Sequence, residues 1–322
     1  MKKRLLATAA CVLALGTSAA VPASAEGSGH GSHGGHGGLG SAAGTVTTPL
    51  ARSTPSTGRA VTLVARLDGA QEVPVQGGPA VADPDGKALA LVQVRGDRVV
   101  FSLSWQGLVP SLGHIHEGDT GKNGPVAVPL FGSAMPSTVD SAAGQVTVVD
   151  PVLAERLRTR PTGFYVNLHS AEFPGGAVRG QLKPLGRPVN PLDIIRGGKL
   201  RALSNGSQEV PKNDDSKVGD PDGYAVTFLR PKATSIDFSM AWVNIQSPSL
   251  GHIHRGPFGR NGEVVFNLFD KPVPGGIFAV SGRLGGQKPE DVNRVRQNPL
   301  DYYSNIHTAE FPDGAVRGQL FR

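Results

Sequence analysis

Residues 163–182 read GFYVNLHSAEFPGGAVRGQL, and residues 302–320 repeat them as YYSNIHTAEFPDGAVRGQL. A second pair of similar stretches lies upstream, SLGHIHEGDTGKNGPV at 111–126 and SLGHIHRGPFGRNGEV at 249–264. Self-similarity of this length predicts two copies of one structural module. The fold of the chain is therefore one module made twice.

Composition favours short strands over helices in each module. The chain has 44 Gly and 26 Pro but only 3 Met, with few long amphipathic runs. In the first copy, alternation of apolar residues predicts strands at 60–67, 87–95, 98–105 and 126–131. Asp150-Pro151 has the form of an N-cap followed by a first-turn proline, which predicts one short helix. The predicted fold class is all-β, with one short helix in each of two tandem modules.

The N-terminus has the form of a secretory signal peptide over residues 1–25. A basic start precedes an apolar run, and Ala23-Ser24-Ala25 forms a small-residue cleavage site, so we expect cleavage after Ala25 and secretion. Cys11, the single cysteine, would leave with this segment, so we expect no disulfide in the modules. We do not expect acylation of Cys11 as in a lipoprotein, because the apolar stretch before it is too short. No other segment reaches the roughly 18 apolar residues of a membrane span.

The rest of the chain divides into a tail, two modules and a connector. Residues 26–59 are rich in Gly, Ser, Thr, Ala and His, which predicts a disordered tail. We expect the first module at 60–185, a Pro-rich linker at 186–195 and the second module at 196–322. Loss of the signal lowers the formal net charge from +6 to +3, and with no basic run the sequence predicts no nucleic-acid binding.

The histidines are the main functional signal. Residues two apart on a strand face the same side, so His114 and His116 project together while Ile115 points to the core. The chain has 9 His, of which three lie in the tail and three at matched positions in each module. Three imidazoles without a thiolate suit copper or zinc, and the affinity order favours copper. The alternative is that these histidines are structural and bonded to the backbone. The candidate ligands are His114, His116 and His169 in the first module, His252, His254 and His307 in the second, and, as a weak tail site, His30, His33 and His36.

Charged residues flank the hairpin turn after each closing strand, Glu172 and Arg179 in the first copy and Glu310 and Arg317 in the second. One interpretation is an ion pair across the turn. The other is that the arginine borders a metal cleft and attracts anions. The sequence shows no Ser/His/Asp or Cys/His nucleophile set and no phosphate-binding glycine motif.

The stretches GHIHEGDTGKNGPV and YVNLHSAEFPGGAVRGQL, with QEVP opening both copies, resemble the CHRD (chordin) domain family. The resemblance covers both modules and implies an immunoglobulin-like or Greek-key β-sandwich or barrel in a secreted protein. The growth-factor binding of animal chordins is not carried over, because the cysteine-rich modules that accompany it there are missing. A weaker resemblance is to Cu,Zn superoxide dismutase, in which His114, His116 and His169 would match copper ligands and Arg179 an anion-guiding arginine. The chain has no fourth copper histidine, zinc-site cluster or disulfide to complete that match.

The leading interpretation is a secreted, non-enzymatic protein that binds a metal ion, preferably copper, in each module. One alternative is a copper-only, dismutase-like redox enzyme. The other is an extracellular adhesion module that binds a protein or a cell-envelope component and whose histidines are structural.

Overall fold

The computed structural model describes residues 58–322, in which alternating apolar residues form the strands. In β1 (Val61–Asp68), the alternate side chains of Leu63, Ala65 and Leu67 are buried. The first module continues with β2 (Lys87–Arg95), β3 (Arg98–Gln106), β4 (Pro110–Glu117), β5 (Val126–Phe131), β6 (Val139–Thr147), α1 (Pro151–Thr159), β7 (Phe164–Ser170), β8 (Val178–Gln181) and β9 (Lys183–Pro184). The second contains β10 (Leu200–Asn205), β11 (Tyr224–Lys232), β12 (Ser235–Val243), β13 (Leu250–Arg255), β14 (Glu263–Phe269), β15 (Ile277–Leu284), α2 (Pro289–Gln297), β16 (Tyr302–His307) and β17 (Val316–Gln319).

The predicted elements are observed, with small differences at their ends. The strands predicted at 87–95 and 126–131 have those limits in the structure. Helix α1 begins at Pro151, and the Asp150 carboxylate accepts a hydrogen bond of 2.8 Å from the Val152 backbone N–H. The all-β prediction with one short α-helix in each module is confirmed.

Each module is a sandwich of two antiparallel sheets that are joined along one edge, where β1 pairs with β8 and β9 in the first module and β10 pairs with β17 in the second. In the first module the strand orders are β6-β3-β2-β1 and β8-β7-β4-β5. In the second they are β15-β12-β11-β10 and β17-β16-β13-β14. Side chains on the inner faces, such as Phe101, Leu103, Ile115 and Val166, are 0% exposed and form the core. The predicted pair of β-sandwiches is confirmed.

The two modules are joined edge to edge through β6 and β15, which are the same strand of the repeat. Ala142 pairs with Val280, its own counterpart in the second copy, so the pairing is symmetric about this position. The connector packs at the same junction, where Ile194 contacts a small cluster that contains Ala143 and Ala279. A continuous ladder of strands therefore crosses from one module to the other.

Residues 1–57 lie outside the described part of the chain. They contain the predicted signal peptide, Cys11 and the tail histidines His30, His33 and His36. Within 58–322, no helix is both long enough and apolar enough to cross a membrane.

Candidate metal centre

Two adjacent strands bring the three histidines of the first module together. Strand β4 pairs with β7, with His114 opposite Asn167, His116 opposite Tyr165 and His169 opposite Leu112. Paired residues project to the same face of a sheet, so all three imidazoles lie on one side while the core lies on the other. Strands β13 and β16 repeat this arrangement in the second module.

The resulting clusters have the dimensions of a metal site. In each module, three histidine nitrogens lie within 4.8 Å of one another. In the first module, His114 Nδ1 and His169 Nε2 are 3.3 Å apart, within hydrogen-bond distance. His169 and His307 are each 9% exposed, and the other four imidazoles are partly exposed, so both clusters are half-buried.

Backbone carbonyls fix the direction of two imidazoles in each cluster. His116 Nδ1 lies 2.9 Å from Gly124 O, and His169 Nδ1 lies 2.9 Å from Pro174 O. A carbonyl oxygen only accepts, so each Nδ1 carries the proton and each Nε2 presents a lone pair. The same contacts recur at His254 and His307, where the distances to the carbonyls of 262 and 312 are 3.0 Å and 2.9 Å.

Most of the nitrogens that face the cluster centres have no hydrogen-bond partner among the described residues. In the second module, His252 Nδ1, His254 Nε2 and His307 Nε2 are all buried without a partner among the described residues. In the first module, His116 Nε2 is also buried without a partner, whereas His114 Nδ1 and His169 Nε2 are within hydrogen-bond distance of each other. A buried polar atom without a partner costs about 1–3 kcal/mol, and several convergent lone pairs are the electrostatic environment that a cation satisfies.

The local environment keeps the imidazoles neutral. Burial, followed by the neighbouring imidazoles, lowers the pKa of His114 and of His252 to about 4. At His252, a hydrogen bond with the side chain of Asn267, the residue opposite on β14, partly opposes this lowering of the pKa. The residue opposite His114 on β5 is Pro129, which has no side-chain group to form such a bond. Neutral imidazole is the form that binds metal.

An aromatic ring supports one histidine of each cluster. The His116 ring stacks on Tyr165 with the centroids 4.9 Å apart and an interplanar angle of 8°. The Tyr165 hydroxyl accepts a hydrogen bond of 3.2 Å from the Gly124 N–H, so the same tyrosine also positions the loop whose Gly124 carbonyl accepts the hydrogen bond from His116. His254 stacks on Tyr303 in the same way, at 4.8 Å and 7°.

The buried arginine of each module holds the loop that follows the His-x-His strand. Arg179 is 2% exposed and donates to Asn123 Oδ1 at 3.0 Å, Asp119 O at 3.0 Å and Lys122 O at 2.7 Å. Glu172 is exposed and forms no ion pair with Arg179 within residues 58–322, so the ion-pair interpretation is wrong.

The second module repeats this use of the arginine. Arg317 donates to Asn261 Oδ1 and to the carbonyls of 257 and 260. Glu310 is also engaged elsewhere, since its Oε2 accepts a hydrogen bond of 3.1 Å from Gln246 Nε2. Both arginines therefore stabilise the loop that follows the His-x-His strand, because their Nη atoms donate hydrogen bonds to oxygens of that loop.

A carboxyl that is buried in the first module and half-buried in the second lies beside each cluster, and the sequence did not predict it. Glu72 is 9% exposed, and its Oε2 accepts a 3.3 Å hydrogen bond from Asn167 Nδ2, while Oε1 has no partner among the described residues. Burial raises the pKa of Glu72 to about 7, and Arg179 and Asn167 partly oppose this shift. Glu209 has the same contacts and the same raised pKa, about 7.

The sequence did contain a signal for these supporting residues. Glu72 belongs to the QEVP stretch that opens both copies, and Asn123-Gly124 recurs as Asn261-Gly262. The Asn-Gly pairs indicate only turns when they are considered alone. In the structure, the Gly124 carbonyl orients His116 and the Asn123 side chain binds Arg179. The second of these contacts joins residues that are far apart in sequence, so the sequence alone did not indicate it.

Together these features define a tandem β-sandwich protein with one three-histidine cluster in each module. The model of the CHRD domain matches residues 63–182 and 200–320, and the chain therefore belongs to the CHRD domain family, with two tandem copies. The resemblance identified from the sequence is confirmed. Comparison with curated proteins gave no match.

Proposed function

We propose that this protein is an extracellular metal-binding protein that holds one metal ion in each CHRD module, with copper as the favoured metal. The observation that carries the proposal is the set of three buried, unpartnered nitrogens at His252, His254 and His307. Their tautomers leave no N–H from His254 or His307 to fill the centre of the cluster. A bound cation satisfies all three lone pairs at once.

The spacing of the nitrogens supports this function. Metal–imidazole bonds of about 2.0–2.1 Å in tetrahedral geometry place two ligand nitrogens about 3.4 Å apart. His114 Nδ1 and His169 Nε2 are 3.3 Å apart. The widest spacing within a cluster is no more than 4.8 Å, so a side-chain movement of about 1 Å completes the site. Copper is favoured over zinc by the affinity order for nitrogen ligands, and both suit three imidazoles.

Metal analysis of protein produced without an affinity tag tests the proposal. We expect two ions per chain after copper loading and dialysis. The double variant His114→Ala, His169→Ala should retain one ion, and so should His252→Ala, His307→Ala. Replacement of His30, His33 and His36 by Ala is the matched control and should leave two tightly held ions. Copper content that does not change in either module variant would contradict the proposal.

Secretion and the domain limits are part of the same proposal. The basic start, apolar run and Ala23-Ser24-Ala25 site support export and cleavage after Ala25. N-terminal sequencing of protein recovered outside the cell should begin at Glu26. Limited proteolysis should cut the tail at 26–59 before it cuts the modules at 60–185 and 196–322 or the connector between them.

Two other functions make different predictions. A dismutase-like enzyme requires superoxide turnover well above background after copper loading, whereas we expect a non-enzymatic role. Guidance of an anion by Arg179 or Arg317 is not favoured, because their Nη donors bind loop oxygens. If the protein instead acts by binding a protein or envelope component through structural histidines, that binding should survive replacement of all six module histidines.

A further inference from the structure

Beside each histidine cluster, a glutamate and an asparagine share one hydrogen bond. Asn167 Nδ2 donates to Glu72 Oε2 at 3.3 Å, and Asn305 Nδ2 donates to Glu209 Oε2 at 3.2 Å. In both pairs, the other carboxyl oxygen and the amide oxygen are buried without a hydrogen-bond partner among the described residues. Each module therefore has two neighbouring side chains whose remaining acceptor atoms both lack a donor.

A proton on the glutamate supplies the donor that these atoms lack. Carboxylate and amide oxygens only accept hydrogen bonds, whereas a protonated carboxyl has one O–H donor. An O–H on Glu72 Oε1 that is directed at Asn167 Oδ1 completes a reciprocal acid–amide pair and satisfies both atoms. Burial raises the pKa of Glu72 and of Glu209 to about 7, so both carboxyls hold this proton in mildly acidic solution.

One arginine acts on each glutamate. Arg179 lowers the pKa of Glu72 against the larger effect of burial, and Arg317 does the same for Glu209. The Tyr303 phenol also faces Glu209, whose charge contributes to the raised pKa of that phenol. Within residues 58–322, neither arginine forms an ion pair with the adjacent glutamate, so neither carboxyl is held in its ionised form by such a pair.

The asparagine places the acid–amide pair next to the candidate metal ligands. Asn167 is the cross-strand partner of His114 and lies two residues before His169 on β7, so its side chain shares the sheet face of both histidines. Gly176 leaves the room for the carboxyl, because a Cβ there would lie 2.8 Å from both carboxyl oxygens of Glu72. The pairing of β13 with β16 repeats this arrangement in the second module. One carboxamide thus separates the carboxyl from the cluster, a distance of roughly two strand spacings, or about 10 Å.

We propose that Glu72 and Glu209 are proton-release groups, each of which holds a proton shared with its asparagine in the metal-free protein and gives it up when the metal ion binds. This inference rests on the proposed metal-binding function. The O–H bond of the acid breaks, its electron pair stays on the carboxylate, and the proton passes to the solvent. The carboxylate then offsets one positive charge of an ion that three neutral imidazoles leave uncompensated. Attraction between a divalent ion and a carboxylate about 10 Å apart favours the ionised form by about tenfold to a hundredfold.

Proton release during addition of copper(II) to the full-length, metal-free protein tests the inference. Near pH 6.5 the wild type should release about half a proton or more per bound ion, and near pH 8, where both carboxyls are already ionised, it should release almost none. The double variant Glu72→Gln, Glu209→Gln keeps an N–H donor for each asparagine and should lack this release. The variant Glu172→Gln, Glu310→Gln, at exposed glutamates, is the matched control and should behave as the wild type.

Copper affinity gives a second readout. At pH 8 the wild type has the carboxylates and the variant Glu72→Gln, Glu209→Gln does not, so the variant should bind copper about tenfold to a hundredfold more weakly. The difference should narrow as the pH falls towards 5, because the wild-type carboxyls are then protonated with or without the ion.

Infrared difference spectra identify the group that loses the proton. When copper binds near pH 6.5, the wild type should lose the C=O stretch of a buried carboxylic acid, and the variant Glu72→Gln, Glu209→Gln should show no such loss. Equal proton release by the wild type and this variant while copper remains bound, or no acid band from these glutamates in the metal-free wild type, would overturn the inference. Absence of bound copper from the wild type would overturn the metal function as well, and direct copper analysis distinguishes these results.

Discussion

The buried carboxyl of Glu72 makes the stability of the first module depend on pH. Its pKa rises from 4.5 to about 7 in the folded protein, chiefly through burial. The folded state therefore binds this proton more tightly than the unfolded state does. The resulting stabilisation is fully present below pH 4.5 and is lost as the pH rises through 7. Replacement of Glu72 by Gln, which is nearly isosteric and always neutral, should remove this dependence.

The magnitude follows from the size of the shift. One pKa unit corresponds to about 1.4 kcal/mol, so a shift of this size is worth about 3 kcal/mol of unfolding free energy. We expect Glu72→Gln to have stability similar to the wild type near pH 4.5. Above pH 7 the variant should be more stable by an amount approaching 3 kcal/mol, because the wild type then holds a buried carboxylate.

Urea unfolding in EDTA at several pH values measures this difference. The chain has 2 Trp, Trp105 in the first module and Trp242 in the second, and both are buried. Replacing one of them by Phe lets fluorescence report on one module at a time. Glu172→Gln, at an exposed glutamate of the same module, is the matched control. If the stability of Glu72→Gln stays parallel to that of the wild type from pH 4.5 to 8, the reasoning about this carboxyl is wrong.

Three other substitutions test the loop that supports the histidine cluster and the junction between the modules. Gly124→Ala adds a Cβ that collides with a backbone carbonyl and displaces the oxygen that orients His116, so copper affinity measured by competition with a chelator should fall about tenfold to a hundredfold. Gly163→Ala is the matched control, because an added Cβ there meets no atom within 4 Å, and it should leave the copper affinity unchanged. Arg179→Met leaves three loop oxygens without a charged hydrogen-bond donor. It should therefore lower the free energy of unfolding, measured with urea, by at least about 3 kcal/mol. Gly144→Ala introduces a collision with a core phenylalanine ring beside β15 and should increase hydrogen exchange in both β6 and β15; exchange confined to β6 would count against the paired edge.

Local patterns in the sequence predicted the residues of the site but not its chemistry in detail. The strand period of two placed His114 and His116 on one face, because alternation is a property of the strand itself. The nitrogen that faces the cluster centre is set by Gly124 O and Pro174 O, and that choice requires the course of two loops. Arg179 shows the same limit. Its nearness to Glu172 in sequence favoured an ion pair, whereas loop oxygens 56 to 60 residues away bind its donors.

The union of the modules at β6 and β15 also depends on information that no single repeat contains. Each strand would be an edge of its own sandwich, with unpaired N–H and C=O groups that invite uncontrolled pairing. Because Ala142 meets its own counterpart Val280, the edge of one copy satisfies the edge of the other. Gly144 and Gly282 lie at equivalent positions of these strands, and neither has room for a Cβ. The two clusters are thus held by one connected strand ladder, and a change at Gly144 should act on both modules although it belongs to only one.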